Sequence, residues 1–223
     1  MTAVIFVEPE SPGNIGSLSR AMKNFGLSEL YLVGGVLPDD ETRMMAMHAW
    51  DVVEKAKSIT LKDARNKFSQ LIATTAQVGS DYNVNRSWIT PEDLQIGDNS
   101  AIVFGRESCG LTNKEISLCD VVVTIPADKK YPTLNITHAA VILFYELFRK
   151  RRSLKSANPA LIRRIEKTYG EILPLISIPE EKQASQKAIF SRILGKSVPT
   201  AREANGLIGV LKRIKNRIKP LSP

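Results

Sequence analysis

An α/β fold with a mostly parallel sheet, extended by a small basic all-helical domain, is what this sequence predicts, on three observations. Strand-like and helix-like stretches alternate along the first two-thirds of the chain. The strand-like stretches are continuous apolar runs, as expected where both sheet faces are covered. Charge also divides the chain: residues 1–148 carry 13 Lys and Arg against 18 Asp and Glu, a net −5, whereas residues 149–223 carry 18 against 5, a net +13. A mildly acidic body with a basic extension is the footprint of a protein that holds a polyanion, most often nucleic acid.

The elements follow in order. Thr2 to Glu8 reads as a buried strand, and a rigid, turn-rich loop from Pro9 to Gly13 leads into a helix from Asn14 to Gly26. The apolar face of that helix is Ile15, Leu18, Ala21, Met22 and Phe25; Arg20 lies beside it, and Lys23 and Asn24 point to solvent. Leu30 to Val33 is a second strand. Asp39 to Lys57 is largely helical, with Met44, Met47, Ala49 and Trp50 directed inward. A helix from Asp63 to Phe68 precedes a strand from Leu71 to Ala76, which breaks into the polar run Gln77 to Asn85.

Ser100 to Gly105 is a further buried strand running into a loop bracketed by Gly105 and Gly110, and Thr112 with Glu115 forms a capping box for a short helix to Leu118. Val121 to Pro126 is the last strand. Pro132 disfavours a helical Tyr131, so the next, strongly apolar helix begins at about Leu134 or Asn135, with Thr133 or Asn135 as its cap. After Arg149 to Arg152 and a linker from Ser153 to Pro159, helices are expected over 160–172, 180–194 and 201–218, the last opened by a Thr200–Glu203 capping box. The division expected is 1–152 for the body and 153–223 for the linker and helical extension.

Several function classes are disfavoured. No apolar run is long enough to span a bilayer and the start lacks signal-peptide features, which predicts a cytoplasmic protein. Cys109 and Cys119 have no histidine partner nearby, so neither a disulfide framework nor a metal site is expected. Neither G-x-G-x-x-G nor a Walker A sequence occurs, which argues against an ordinary dinucleotide or P-loop enzyme. In parallel sheets ligands sit outside the strands' carboxyl ends. The loops at 9–14, 74–79, 105–110 and 126–135 all leave strands in that direction and converge on one site.

Three stretches taken together carry a resemblance: Pro12-Gly13-Asn14-Ile15-Gly16 through Arg20 to Gly26; Val103-Phe104-Gly105-Arg106-Glu107 through Gly110-Leu111; and Ile125-Pro126 through Leu134-Asn135. In order and spacing they resemble the SPOUT superfamily of RNA methyltransferases, specifically its TrmH-like branch with TrmJ-type members. The resemblance implies a deep trefoil knot, a homodimer joined through it, and S-adenosylmethionine held by the 105–110 and 126–135 loops. It implies 2′-O-methylation of tRNA, with cytidine thirty-two of the anticodon loop as the target favoured by archaeal-looking members. The same chemistry on ribosomal RNA or another tRNA position, or a non-catalytic RNA-binding protein, are the alternatives.

Carried over position by position, the resemblance makes Asn14, Arg20, Glu107 and Asn135 the catalytic candidates. Thr74, Thr75, Gly105, Ile125, Thr133, Leu134 and Asn135 are the cofactor contacts it implies, chiefly through backbone groups. Many relatives have serine where this chain has Thr133. A guanidinium stays protonated at neutral pH, so Arg20 is expected to hold the hydroxyl or adjacent phosphate and stabilise developing negative charge rather than to act as a base.

Overall fold

The computed structural model describes residues 2–76, 88–150 and 156–218. The expected polar run from Gln77 to Asn85, and most of the basic junction at 151–155, lie outside the described residues. Seven parallel strands form one sheet in the order β3-β2-β1-β6-β4-β7-β5: β1 (Thr2–Val7), β2 (Leu30–Val33), β3 (Lys57–Ser58), β4 (Gln70–Thr74), β5 (Trp88–Ile89), β6 (Ser100–Phe104) and β7 (Val121–Val123). Both sheet faces are covered, which is why β1, β4 and β6 are buried almost throughout instead of alternating.

Successive side chains divide between two cores. Val4, Phe6, Ile72, Ile102, Phe104 and Val123 pack against helix α1 (Pro12–Asn24) and helix α6 (Ile136–Lys150). Ala3, Ile5, Leu71, Ala73, Ala101, Val103 and Val122 pack on the other face, with α4 (Leu61–Lys67) and α5 (Asn113–Ser117). Phe144 of α6 is buried edge-on against both Phe104, at 6.2 Å, and Phe25, at 6.3 Å, which fixes α6 across the sheet.

The expected helices and their caps are present, with Gly26 at positive φ just after α1. Helix α6 begins at Ile136, and Asn135 caps it by accepting from the Thr137 N–H at 2.8 Å. The capping boxes at Thr112–Glu115 and Thr200–Glu203 both form. The strand expected to reach Pro126 ends as a ladder at Val123, and Ala49 is buried as expected.

Two expectations fail. Met44 and Met47 are exposed rather than inward, at 70% and 56%. The 39–57 segment is broken into α2 (Asp40–Ala46), a 3-10 turn at Met47–Ala49 and α3 (Trp50–Glu54), with Met47 at φ 50°. That break resets the helical phase, so Thr42, Ala46, Val52 and Val53 face inward together with the expected Ala49. The two-residue edge strands β3 and β5 are too short to produce a readable pattern.

Helices α7 (Pro159–Ile172), α8 (Glu180–Ser197) and α9 (Ala201–Ile218) share an apolar core of Ile162, Ile165, Ile172, Leu194, Ala204, Ile208 and Leu211. They are docked on the body through a polar seam. Asp120, 1% exposed at the start of β7, accepts from the Leu71 N–H at 2.8 Å and pairs with Arg65; Arg65 also reaches Glu166 at 2.9 Å. Gln70 donates to the Gly195 carbonyl, and Gly195 lies directly on Asp120. Burial pushes the Asp120 carboxyl up, while Arg65 and Arg163 pull against it.

Candidate active site

A cavity of about 440 Å³ opens at the carboxyl ends of β4, β6 and β7, where parallel sheets place their ligands. Its walls are the 104–111 and 131–136 segments, the end of β4, Asn14 and the inner face of α6. Of the ten candidate residues, all but Arg20 fall on these walls: Asn14, Thr74, Thr75, Gly105, Glu107, Ile125, Thr133, Leu134 and Asn135.

The 105–111 loop is folded tightly on itself. Arg106 and Gly110 exchange backbone hydrogen bonds at 3.3 and 2.9 Å, and Gly110 turns the chain at φ +70°. A side chain at Gly105 would overlap the Gly110 and Leu111 backbone, whereas space beside Gly110 is open. Arg106 locks the loop from behind. Its guanidinium grips Glu115 through two bonds of 3.0 Å and Glu8 through one of 2.7 Å. Those carboxylates raise the Arg106 pKa beyond its already high ordinary value. Burial pushes the Glu115 carboxyl up, but Arg106 and the Thr112 N–H outweigh it, leaving Glu115 below its ordinary value.

Two carboxylates join this loop to the start of α1. Glu107 accepts from the Glu10 N–H at 2.9 Å, the Ser11 N–H at 3.1 Å and Asn14 Nδ2 at 3.0 Å. In the opposite direction, Glu10 accepts from the Ser108 N–H at 3.0 Å and the Ser108 hydroxyl at 2.6 Å. Negative charge beside a helix N-terminus is favourable. Glu107 therefore fixes the Asn14 amide through its Nδ2, on the wall of the cavity.

On the other wall Thr74 donates its hydroxyl to the Val103 carbonyl at 3.0 Å, and the Thr75 N–H bonds the Val123 carbonyl at 3.1 Å. These bonds tie the ends of β4, β6 and β7 together under the cavity floor. The capping bond occupies Asn135 Oδ1, which leaves its Nδ2 as a donor. Phe104, Val123, Ile136, Ala139 and Leu143 supply an apolar side.

Arg20 stands apart. Residues 13, 16, 20 and 23 form one stripe of α1 at helical spacing. Gly16 on that stripe lies against α2, and Lys23 bonds Asp51 and the His48 carbonyl at 2.6 Å. Arg20 is exposed and makes no ion pair or side-chain hydrogen bond to another described residue. Arg106, Glu8, Glu10 and Ser108 complete the site's framework and were not anticipated. The Arg106 partners at Glu8 lie 98 residues away, and no local spacing signals that pairing.

The SpoU rRNA Methylase family profile matches residues 1–145. A relative from Methanocaldococcus jannaschii, named tRNA (cytidine-2′-O-)-methyltransferase TrmJ, is 36% identical over 231 residues, covering 95% of this chain and 99% of the relative. A second such relative, from Sulfolobus acidocaldarius, is 33% identical and covers 96% of this chain and 94% of its own length. The crystal structure of TrmJ from Z. mobilis superposes with a TM-score of 0.71 at 25% identity, covering 96% of this chain and 99% of that one. The chain belongs to the SpoU methylase family.

Proposed function

We propose that this chain transfers a methyl group from S-adenosylmethionine to a ribose 2′-hydroxyl of tRNA, at cytidine thirty-two of the anticodon loop. One observation carries the reading. The three motif stretches, far apart in sequence, meet around one cavity, with Glu107 bonded to both the Asn14 side chain and the start of α1. Relatives that align over nearly the whole chain, basic extension included, are named as tRNA cytidine methyltransferases.

The cavity fits the cofactor. It combines an apolar side suited to an adenine, three threonines, and a turn at Gly110 where no side chain fills the space. When bound, S-adenosylmethionine supplies an electrophilic methyl on a sulfonium. Thr74, Thr75, Gly105, Ile125, Thr133 and Leu134 would hold it, chiefly through backbone groups. Asn14 accepts a hydrogen bond from the incoming 2′-hydroxyl and Asn135 donates to the substrate, which orients the oxygen for in-line attack; transfer would form the oxygen–methyl bond as the sulfur–methyl bond breaks, with the hydroxyl proton released to water. Glu107 keeps Asn14 in register. Arg20 acts on the RNA from its exposed position, holding the hydroxyl or a neighbouring phosphate and stabilising negative charge as it develops.

The wider architecture belongs to the same reading. The segments 105–111 and 125–135 that share the cavity form the deep trefoil knot. Val141, Ile142, Tyr145 and Phe148 leave an exposed apolar face on α6, at 38 to 53%, and that face joins two copies as a homodimer. The body, 1–152, performs the chemistry, and 153–223 supplies a basic tRNA-binding surface that includes the exposed Arg202, Lys212, Arg213 and Arg217 of α9.

The test is transfer of labelled methyl from S-adenosylmethionine to a tRNA transcript by the wild-type chain and by Arg20→Ala. The wild type labels the RNA. Arg20→Ala loses transfer by about 100-fold or more while still binding cofactor. Full turnover by the variant would remove Arg20 from the mechanism, and no label on the tRNA from a wild type that binds cofactor would overturn tRNA as the target.

A further inference from the structure

The mouth of the cavity carries a feature that the methyl-transfer chemistry leaves unused. Tyr131 lines the cavity, yet its side chain is 81% exposed, more than any other aromatic residue described. Its ring meets no other aromatic ring among the described residues.

The backbone holds it in that position. The Tyr131 N–H bonds the Asp128 carbonyl at 3.0 Å, and the Lys130 N–H bonds the Asp128 carboxylate at 2.7 Å. Pro132 then restricts the chain on the far side. This short, internally bonded turn fixes the backbone from which the exposed ring stands. Lys129 and Lys130 precede it, both exposed and without an ion pair among the described residues.

An outward aromatic ring beside two free ammonium groups is the combination that binds single-stranded nucleotides: the ring stacks on a base while the cations meet phosphates. An adenine of the cofactor would need a ring turned into the cavity, and an exposure of 81% leaves most of this one outside.

We propose that Tyr131, flanked by Lys129 and Lys130, is a positioning residue that stacks on a nucleobase of the RNA strand next to the ribose presented to the cavity. The inference rests on the RNA-methyltransferase reading of that cavity. A ribose in a folded loop can reach a recessed methyl donor only if its nucleotide leaves the stack. Tyr131 replaces the stacking lost at the cavity mouth.

The experiment compares the full-length wild type with Tyr131→Phe and Tyr131→Ala. The probes are an anticodon stem-loop RNA carrying 2-aminopurine beside the target nucleotide and a tRNA transcript for steady-state kinetics. Wild type and Tyr131→Phe quench the 2-aminopurine, and Tyr131→Ala does not. KM for tRNA rises about tenfold in Tyr131→Ala, the effect falling on KM rather than kcat, and cofactor affinity is unchanged.

Wild-type quenching and KM in Tyr131→Ala would overturn the proposal. So would lost cofactor affinity, which would make the ring part of the cofactor wall, or a smaller sedimenting mass, which would make it a subunit contact. Should the wild type transfer no methyl to tRNA, the methylation reading fails by itself. Ring-dependent quenching with the stem-loop would still support the platform, and its absence would sink it.

Discussion

Gly105 and Gly110 are five residues apart on one loop, yet each is required for a different reason. At Gly105 the folded-back Gly110 and Leu111 backbone occupies the place of a side chain; at Gly110 the space is open but φ is +70°. Gly105→Ala should displace the loop and abolish cofactor binding. Gly110→Ala should keep the loop and lose only about 1–2 kcal/mol of stability. Calorimetric titration with S-adenosylmethionine alongside thermal melting separates the two, and equal behaviour would contradict the loop geometry. The convergence of Asn14, Glu107 and Asn135 on one cavity was legible in the sequence because motif order and a proline-started cap mark them. Arg106 was not, since its grip on Glu8 exists only after β1 and β6 have paired.

Loop 105–111 is held to α5 as one element by the Arg106–Glu115 pair, which gives it a pH dependence of definite sign. The folded Glu115 carboxyl lies below its ordinary value of 4.5, so its contribution is fully present above that value. It is lost as pH falls through the lower folded value. The melting-temperature gap between wild type and Glu115→Gln should be constant near neutrality and narrow below about pH 4.5; a gap that widened on acidification would reverse the assignment. Helix α6 makes a second prediction at this scale. If the proposed homodimer forms through this exposed apolar face, Ile142→Asp should leave the fold intact and halve the sedimenting mass; an unchanged mass would contradict the proposed contact. Helices were readable from apolar period and caps, as α1, α6 and α9 show. The inward reading of Met44 and Met47 failed because it assumed one continuous helical phase, which the turn at Met47 interrupts.

Across the whole molecule, the acidic body and basic helices are joined by a buried charge rather than by a linker alone. Asp120 meets Arg65 under Gly195, and Ser69 and Ser156 hydroxyls lie 3.2 Å apart beside that seam. Asp120→Ala leaves the largely buried Arg65 without this partner and should cost about 3 kcal/mol, measured by denaturant unfolding; a loss below about 0.5 kcal/mol would make the seam incidental. The charge division was plain in composition. The seam was not, because Arg65, Asp120 and Arg163 look like ordinary surface charges until the helices dock. The proposed reaction turns on one oxygen atom, the 2′-hydroxyl of the target ribose. In the decisive measurement, labelled methyl transfer is compared between a tRNA with ribose at position thirty-two and the same tRNA with 2′-deoxyribose there. Transfer should vanish with the deoxyribose and persist when the deoxyribose is placed at a neighbouring loop nucleotide. Undiminished labelling of the tRNA deoxygenated at position thirty-two would contradict the account.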